Sequence, residues 1–208
     1  MTLPQPMIHV IDDDDSFRTA ITRLLKAAGY EVRGYADCGD FLLASPVNGP
    51  GCLLLDVRMP GPSGLELQEA LNRRGNTLPI IFLTGHGDIP MSVRAIRAGA
   101  IDFLTKPVQR EELLSAIRSA LDVDARTRTL QQQVTSLQTR FGTLTPRERS
   151  VFALVILGRL NKQIAAELGI AERTVKVHRA QVMAKMRVES VADLVRVAGR
   201  LHYGEEQP

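Results

Sequence analysis

Residues 52–56 read Cys52-Leu53-Leu54-Leu55-Asp56: an unbroken apolar run that ends on a carboxylate. A run without polar alternation is what a strand buried on both faces requires. Four more short runs flank it, at Met7–Ile11, Val32–Tyr35, Ile80–Leu83 and Ile101–Leu104. Between them lie amphipathic stretches of helical period. Phe17, Ile21, Leu24, Leu25 and Ala28 share one face, and Gly29 stops that helix. Further helical patterns cover Asp40–Ala44, Ser63–Arg73, Pro90–Ala98 and Gln109 onward. Five such strand–helix units predict an α/β doubly wound, parallel five-stranded sheet over residues 1–121.

The rest of the chain changes character. Val108–Phe141 holds neither Gly nor Pro. As one helix it would reach roughly 50 Å. Its first part should pack on the sheet through Leu113, Leu114 and Ile117. Its later part carries a narrow stripe of Leu130, Val134, Leu137 and Phe141, at offsets of 4, 3 and 4. That stripe suits either a surface helix resting on its own domain or a short dimer-forming coiled coil. Residues 122–142 are therefore expected to be a helical linker. Gly142 breaks the helix, and Thr145-Pro146-Arg147-Glu148 opens a new domain, 143–208, with a capping box. Four short helices fit it: Pro146–Leu157, Lys162–Leu168, Glu172–Met186 and Val191–Leu201. The tail from Gly204 is expected to fray.

The 208 residues are 44% hydrophobic and 24% charged, which fits soluble globular domains and excludes a disordered, collagen-like or disulfide-scaffolded chain. No apolar run is long enough to span a bilayer, and the start shows no signal peptide. Two cysteines, Cys38 and Cys52, fit a reducing, cytoplasmic setting. The net charge of +3 divides unevenly. Residues 1–121 hold 12 Lys+Arg and 14 Asp+Glu, giving −2; residues 122–208 hold 14 and 9, giving +5. The basic half is a candidate to meet a polyanion.

In an open parallel sheet the carboxyl ends of the strands line one edge, where ligands bind. Asp12 and Asp13 follow the first run, Asp56 the third, Thr84 the fourth and Lys106 the fifth. Singly, each is an ordinary loop or turn residue. Together they make one pocket. Three carboxylates repel one another unless a cation joins them, and hard oxygen donors suit Mg²⁺. Lys106 offers a point charge to an anion, Thr84 a hydroxyl, and Gly85 room for close backbone approach. That set fits phosphoryl transfer onto a carboxylate.

The stretches Val10-Ile-Asp-Asp-Asp14, Leu54-Leu-Asp-Val-Arg-Met-Pro-Gly-Pro-Ser-Gly64, Phe82-Leu-Thr-Gly-His-Gly-Asp88 and Gly99-Ala-Ile-Asp-Phe-Leu-Thr-Lys-Pro107 resemble a two-component receiver domain. The resemblance implies that Asp56 is the phosphoacceptor. It implies that Asp13 and Asp56 bind Mg²⁺ directly, Asp12 largely through water, and that the Arg58 backbone carbonyl completes the protein ligands. Lys106 would pair with the phosphoryl group, Thr84 would swing toward it, and Phe103 would act as an aromatic switch. Strand order 2-1-3-4-5 and a cis Lys106–Pro107 bond are expected with it.

In the second domain, Asn161 to Arg179 reads as helix, tight turn at Gly169, helix. The second helix carries Arg173, Lys176, Arg179, Lys185 and Arg187 against Glu172, a balance of +4. A basic helix presented by a preceding one suits the DNA major groove, although a solvated basic face would look alike. The stretches from Leu144 and from Thr174-Val-Lys-Val-His-Arg onward resemble a LuxR-type helix-turn-helix domain. With the receiver-like half, the whole chain resembles a response regulator of the FixJ/NarL type. The resemblance implies base contacts from Lys176 and Val177. Thr174, His178, Arg179 and Lys162 would contact or flank the phosphate backbone. Ala171 stands where many relatives carry Ser or Thr, which weakens a helix cap, and Ala180 where some carry a base-contacting Lys, so their target sequences do not transfer.

The expected function is transcriptional regulation switched by phosphorylation. The expected partners are a sensor histidine kinase, promoter DNA, RNA polymerase and a second copy of the chain, and no membrane. Two rivals remain. Haloacid-dehalogenase-type phosphatases share the Asp, Thr, Lys and Mg²⁺, but need an acid two residues after the nucleophile, where this chain has Arg58. The other rival is a DNA-binding protein activated without phosphorylation. Enzymatic turnover beyond slow autophosphatase activity is not expected.

Overall fold

The structure is a computed structural model that describes residues 5–44, 49–85 and 89–201. His86–Asp88 of the third receiver-like stretch and the tail expected to fray lie outside these residues. The chain forms two compact units, Met1–Arg128 and Thr129–Pro208.

The first unit is built on β1 (Met7–Ile11), β2 (Glu31–Tyr35), β3 (Gly51–Asp56), β4 (Ile80–Thr84) and β5 (Asp102–Thr105). All pairings are parallel, in the order β2-β1-β3-β4-β5. The central strands β3 and β4 are buried along their whole length, which is why they read as continuous apolar runs. Successive side chains feed opposite faces. Val10, Cys52, Leu54 and Ile81 pack against α1 (Asp15–Ala27) and α5 (Arg110–Gly142) through Leu25, Leu113 and Ile117. Leu53, Leu55 and Phe82 pack on the other face against α2 (Cys38–Ala44), α3 (Gly64–Arg73) and α4 (Ile89–Arg97) through Phe41, Leu67 and Ala95.

Local chemistry sets the helix starts. The Asp14 carboxylate accepts the N–H groups of Ser16 and Phe17, at 2.8 and 3.1 Å, and so caps α1. Ser63 and Glu66 form a capping box on α3. Gly64 must be glycine for a steric reason: a Cβ there would lie 2.2 Å from the Asp56 carbonyl oxygen. This close approach lets α3 begin directly beside the end of β3.

Helix α5 is continuous over 33 residues. Asp124 on it is buried, and its Oδ2 accepts the Gly51 N–H at 2.9 Å. Arg128 Nε donates to both Asp124 oxygens, at 2.9 and 2.8 Å, and its Nη2 donates to the Gly49 carbonyl. The helix is thereby latched to the start of β3, the strand whose other end is Asp56.

The second unit contains α6 (Pro146–Ile156), α7 (Asn161–Leu168), α8 (Glu172–Met186) and α9 (Val191–Arg200). Phe152, Ile164, Val175, Val182, Met186 and Leu194 form its core. Phe141, near the end of α5, stacks edge-on against Phe152 at 5.2 Å between ring centroids. Leu137 is buried too, and lines a groove with Val197. Two of the four stripe residues on α5 thus pack inside the second unit, while Leu130 stays 62% exposed.

No described helix is long and apolar enough to cross a membrane.

Candidate functional site

Two places gather the polar residues expected from sequence. The first is the carboxyl edge of the sheet. Asp12 follows β1, Asp56 ends β3, Thr84 ends β4 and Lys106 follows β5. One oxygen from each of Asp12, Asp13 and Asp56 lies within 4.8 Å of the others. Asp12, Asp56 and Thr84 are buried, whereas Asp13 is exposed. The Lys106 ammonium donates to Asp12 Oδ2 and to Asp56 Oδ2, at 2.6 Å each. The Asp14 N–H donates to Asp12 Oδ1 at 3.0 Å, and the Arg58 N–H to Asp56 Oδ1 at 3.2 Å. The loop that carries Arg58 is therefore held against the pocket. The Lys106 N–H donates to the Thr84 carbonyl at 2.7 Å, and the Lys106–Pro107 bond is cis.

The electrostatics follow from this crowding. Burial pushes the Asp12 carboxyl above the usual carboxylate range, and the Asp56 charge acts the same way, while Lys106 opposes both. Burial also works against the Lys106 charge. Its hydrogen bonds to Asp12 and Asp56 outweigh burial and hold the ammonium above the usual lysine value. The donor set consists of three hard carboxylate oxygens in one cluster, which fits a divalent cation. Phe103 on β5 is half-buried, with its ring 6.1 Å from that of Phe82.

Two side chains at this site carried no expectation. Phe17 lies beneath Lys106, whose ammonium sits 4.2 Å from its ring centroid. That is a cation–π contact made by the first turn of α1. Arg18 donates to the Asp12 carbonyl and pairs with Asp15. In the sequence, Phe17 reads only as a core position of a helix.

The second place is the helix pair α7–α8. Gly169 takes the left-handed conformation (φ 66°) and turns the chain between them. Lys162 and Lys176 are exposed, and so is Val177 at 55%. Thr174, His178 and Arg179 are half-buried. His178 Nδ1 is shut off from solvent with no hydrogen-bond partner among the described residues. Arg179 Nη1 donates to Asn161 Oδ1 at 2.9 Å. Ala171 occupies the N-cap of α8 and supplies no side-chain hydrogen bond. Lys185 does not belong to an outward basic face: its ammonium donates to the buried Glu148 carboxylate at 2.6 Å and to the Thr143 carbonyl at 3.2 Å.

Comparison with known proteins matches a family to each half of the chain. Residues 8–118 match the response regulator receiver domain, and residues 142–198 match the bacterial regulatory proteins of the luxR family. Nodulation protein W of Bradyrhizobium diazoefficiens is 47% identical over 195 residues, covering 94% of this chain and 86% of that one. The transcriptional regulatory protein FixJ of Azorhizobium caulinodans is 42% identical, covering 92% and 90%. Among solved structures, response regulator StyR is 47% identical with a TM-score of 0.85, covering 95% of this chain and all of that one. Full-length FixJ from B. japonicum is 40% identical with a TM-score of 0.58, covering 97% and 98%. These relatives are regulators, so the phosphatase alternative falls away. The chain belongs to the FixJ/NarL-type response regulators, DNA-binding regulators of transcription that join a receiver domain to a LuxR-type helix-turn-helix domain.

Proposed function

We propose that this regulator is switched by phosphorylation of Asp56 by a sensor histidine kinase. The observation that carries the reading is the four-residue constellation of Asp12, Asp13, Asp56 and Lys106 at one sheet edge. An Asp56 oxygen attacks the phosphorus of a phosphohistidine; the P–O bond forms as the P–N bond breaks. Asp12, Asp13 and Asp56, with the Arg58 carbonyl, would hold Mg²⁺, which supplies neutralising charge for the transferred group. Lys106 already bridges Asp12 and Asp56 and can turn to the phosphoryl oxygens. Thr84 then offers its hydroxyl to the same group, and Phe103 follows it.

The functional division is a receiver over 1–121, a connecting helix over 122–142 and a DNA-binding domain over 143–208. The change at Thr84 and Phe103 alters the face made by α4 and β5 and favours a homodimer. Two copies of α8 then meet paired half-sites in promoter DNA, and the bound dimer acts on RNA polymerase in the cytoplasm. Lys176 and Val177 meet base edges; Lys162, Thr174, His178 and Arg179 serve the phosphate backbone.

The test is genome-wide DNA binding with and without a small phosphodonor, using wild type and Asp56→Asn. Phosphodonor should sharpen wild-type occupancy at discrete promoters and leave the variant unchanged. Chelating Mg²⁺ should remove phosphate incorporation in vitro. Equal occupancy by both proteins under both conditions would refute the switch.

A further inference from the structure

Arg179 is tied in place by a residue of the other helix. Its Nη1 donates to Oδ1 of Asn161, the first residue of α7, eighteen positions earlier. That carbonyl does not cap α7: the cap position belongs to Leu160, which makes no side-chain cap bond. The Leu160 N–H is already accepted by Gln163 Oε1 at 2.8 Å. The Asn161 side chain is therefore directed across the helix pair, to α8.

The chemistry of the pair is specific. A guanidinium presents five N–H donors in one plane. A single bond to Asn161 fixes the plane and leaves the remaining donors available. Because the asparagine is neutral, the guanidinium keeps its full charge for an anion. A carboxylate at position 161 would orient the arginine equally well and cancel that charge. Ordering a flexible arginine at the moment of binding costs affinity, so a fork held in advance binds a phosphate more tightly. Lys162, next in the chain, is exposed and adds a second cation beside the same turn.

We propose that Asn161 is a positioning residue for DNA binding, acting through Arg179 by pre-orienting its guanidinium toward a backbone phosphate. The proposal rests on the reading of Arg179 as a phosphate contact.

The experiment uses the full chain and a mixed-sequence 30-base-pair duplex, with affinity followed by fluorescence anisotropy over a series of salt concentrations. Wild type, Asn161→Ala, Arg179→Ala and the double variant are compared, and thermal unfolding is recorded for each. Arg179→Ala should lower the slope of log affinity against log salt by about one. Asn161→Ala should weaken binding about 3–10-fold at an unchanged unfolding temperature. In the Arg179→Ala background the same substitution should change nothing. Equal weakening in both backgrounds would mean that Asn161 only shapes the helix pair, and would overturn the proposal. So would wild-type affinity in Asn161→Ala alongside a weakened Arg179→Ala. If Arg179→Ala itself leaves affinity and slope unchanged, the phosphate-contact reading fails first and takes the proposal with it.

Discussion

His9 shows how much one buried side chain can settle about pH response. It lies on β1, 3% exposed, with Nδ1 3.1 Å from the Tyr35 hydroxyl and its ring edge-on to Phe41. Burial, helped by the Arg33 charge, lowers its pKa to about 4 from an ordinary 6.5. The unfolded chain therefore binds a proton that the folded chain refuses between these values. Stability contributed by neutral His9 is complete above pH 6.5 and declines as pH falls toward 4. Between pH 6.5 and 5 the decline should be about 2 kcal/mol. Urea unfolding of the first unit by circular dichroism, across that window, measures it. His9→Phe should flatten the slope while shifting the whole curve by a constant, since the Tyr35 hydroxyl loses its partner. An unaltered slope in the variant would assign the acid sensitivity elsewhere. The same scale shows what could be read in advance. Asp12 and Asp13, Asp56, Thr84 and Lys106 were legible because they stand at the ends of four different apolar runs, and topology brings those ends to one edge. Phe17 beneath Lys106 was not, because a ring on a helix core face carries no mark of the cation above it.

At the scale of elements, pattern predicts burial well and pairing poorly. β3 and β4 announced themselves by continuous apolarity, while the edge strand β2, exposed at three of its five positions, showed only two buried residues. The latch between Asp124 and Gly51 joins residues 73 positions apart, and no periodicity marks an acid on a helix as buried. The same is true of Lys185 and Glu148, 37 apart. These hidden pairs make predictions. Asp124→Ala strands the Gly51 N–H and the Arg128 guanidinium, and should destabilise the first unit by about 2–3 kcal/mol. Asp124→Asn keeps an acceptor for Gly51 and should cost less. Chemical denaturation of the two variants orders them, and equal loss would show that the Gly51 bond contributes nothing. The opposite sign is expected at α8. Ala171 has the extended backbone of an N-cap (φ −66°, ψ 144°) without an oxygen to use it. The Thr174 N–H already donates to the Ala171 carbonyl at 2.9 Å; Ala171→Ser can accept the Arg173 N–H and should add about 1 kcal/mol to the second unit. That corresponds to about 4–8 °C in its melting temperature, which calorimetry can resolve.

For the whole molecule, the question is which apolar surface a second copy would use. Sequence periodicity offered the α5 stripe and could not say what covers it, because one spacing serves both self-packing and partner-packing. The stripe on α5 is now half occupied: Leu137 is buried and Phe141 stacks on Phe152, all within the second unit. On α4, Val93 and Ile96 remain 43% and 47% exposed. The cation between them, Arg94, is paired with Glu69 of α3 at 2.6 Å. An apolar pair flanking a neutralised charge is a better association surface than Leu130 with half a stripe. α4 also precedes β5, the strand that carries Phe103, so a change at Asp56, the proposed phosphoacceptor, would have one connection to cross. The proposed dimer therefore makes a discriminating prediction. With a phosphodonor and Mg²⁺, sedimentation velocity should show wild type shifting toward dimer. Ile96→Glu should stay monomeric while incorporating phosphate at Asp56 as wild type does. Leu130→Glu should dimerise like wild type. If instead Leu130→Glu blocks association and Ile96→Glu does not, the α5 stripe forms the dimer. In that case the route from Asp56 to DNA runs along the long helix, past the Asp124–Arg128 latch, rather than across the α4 face.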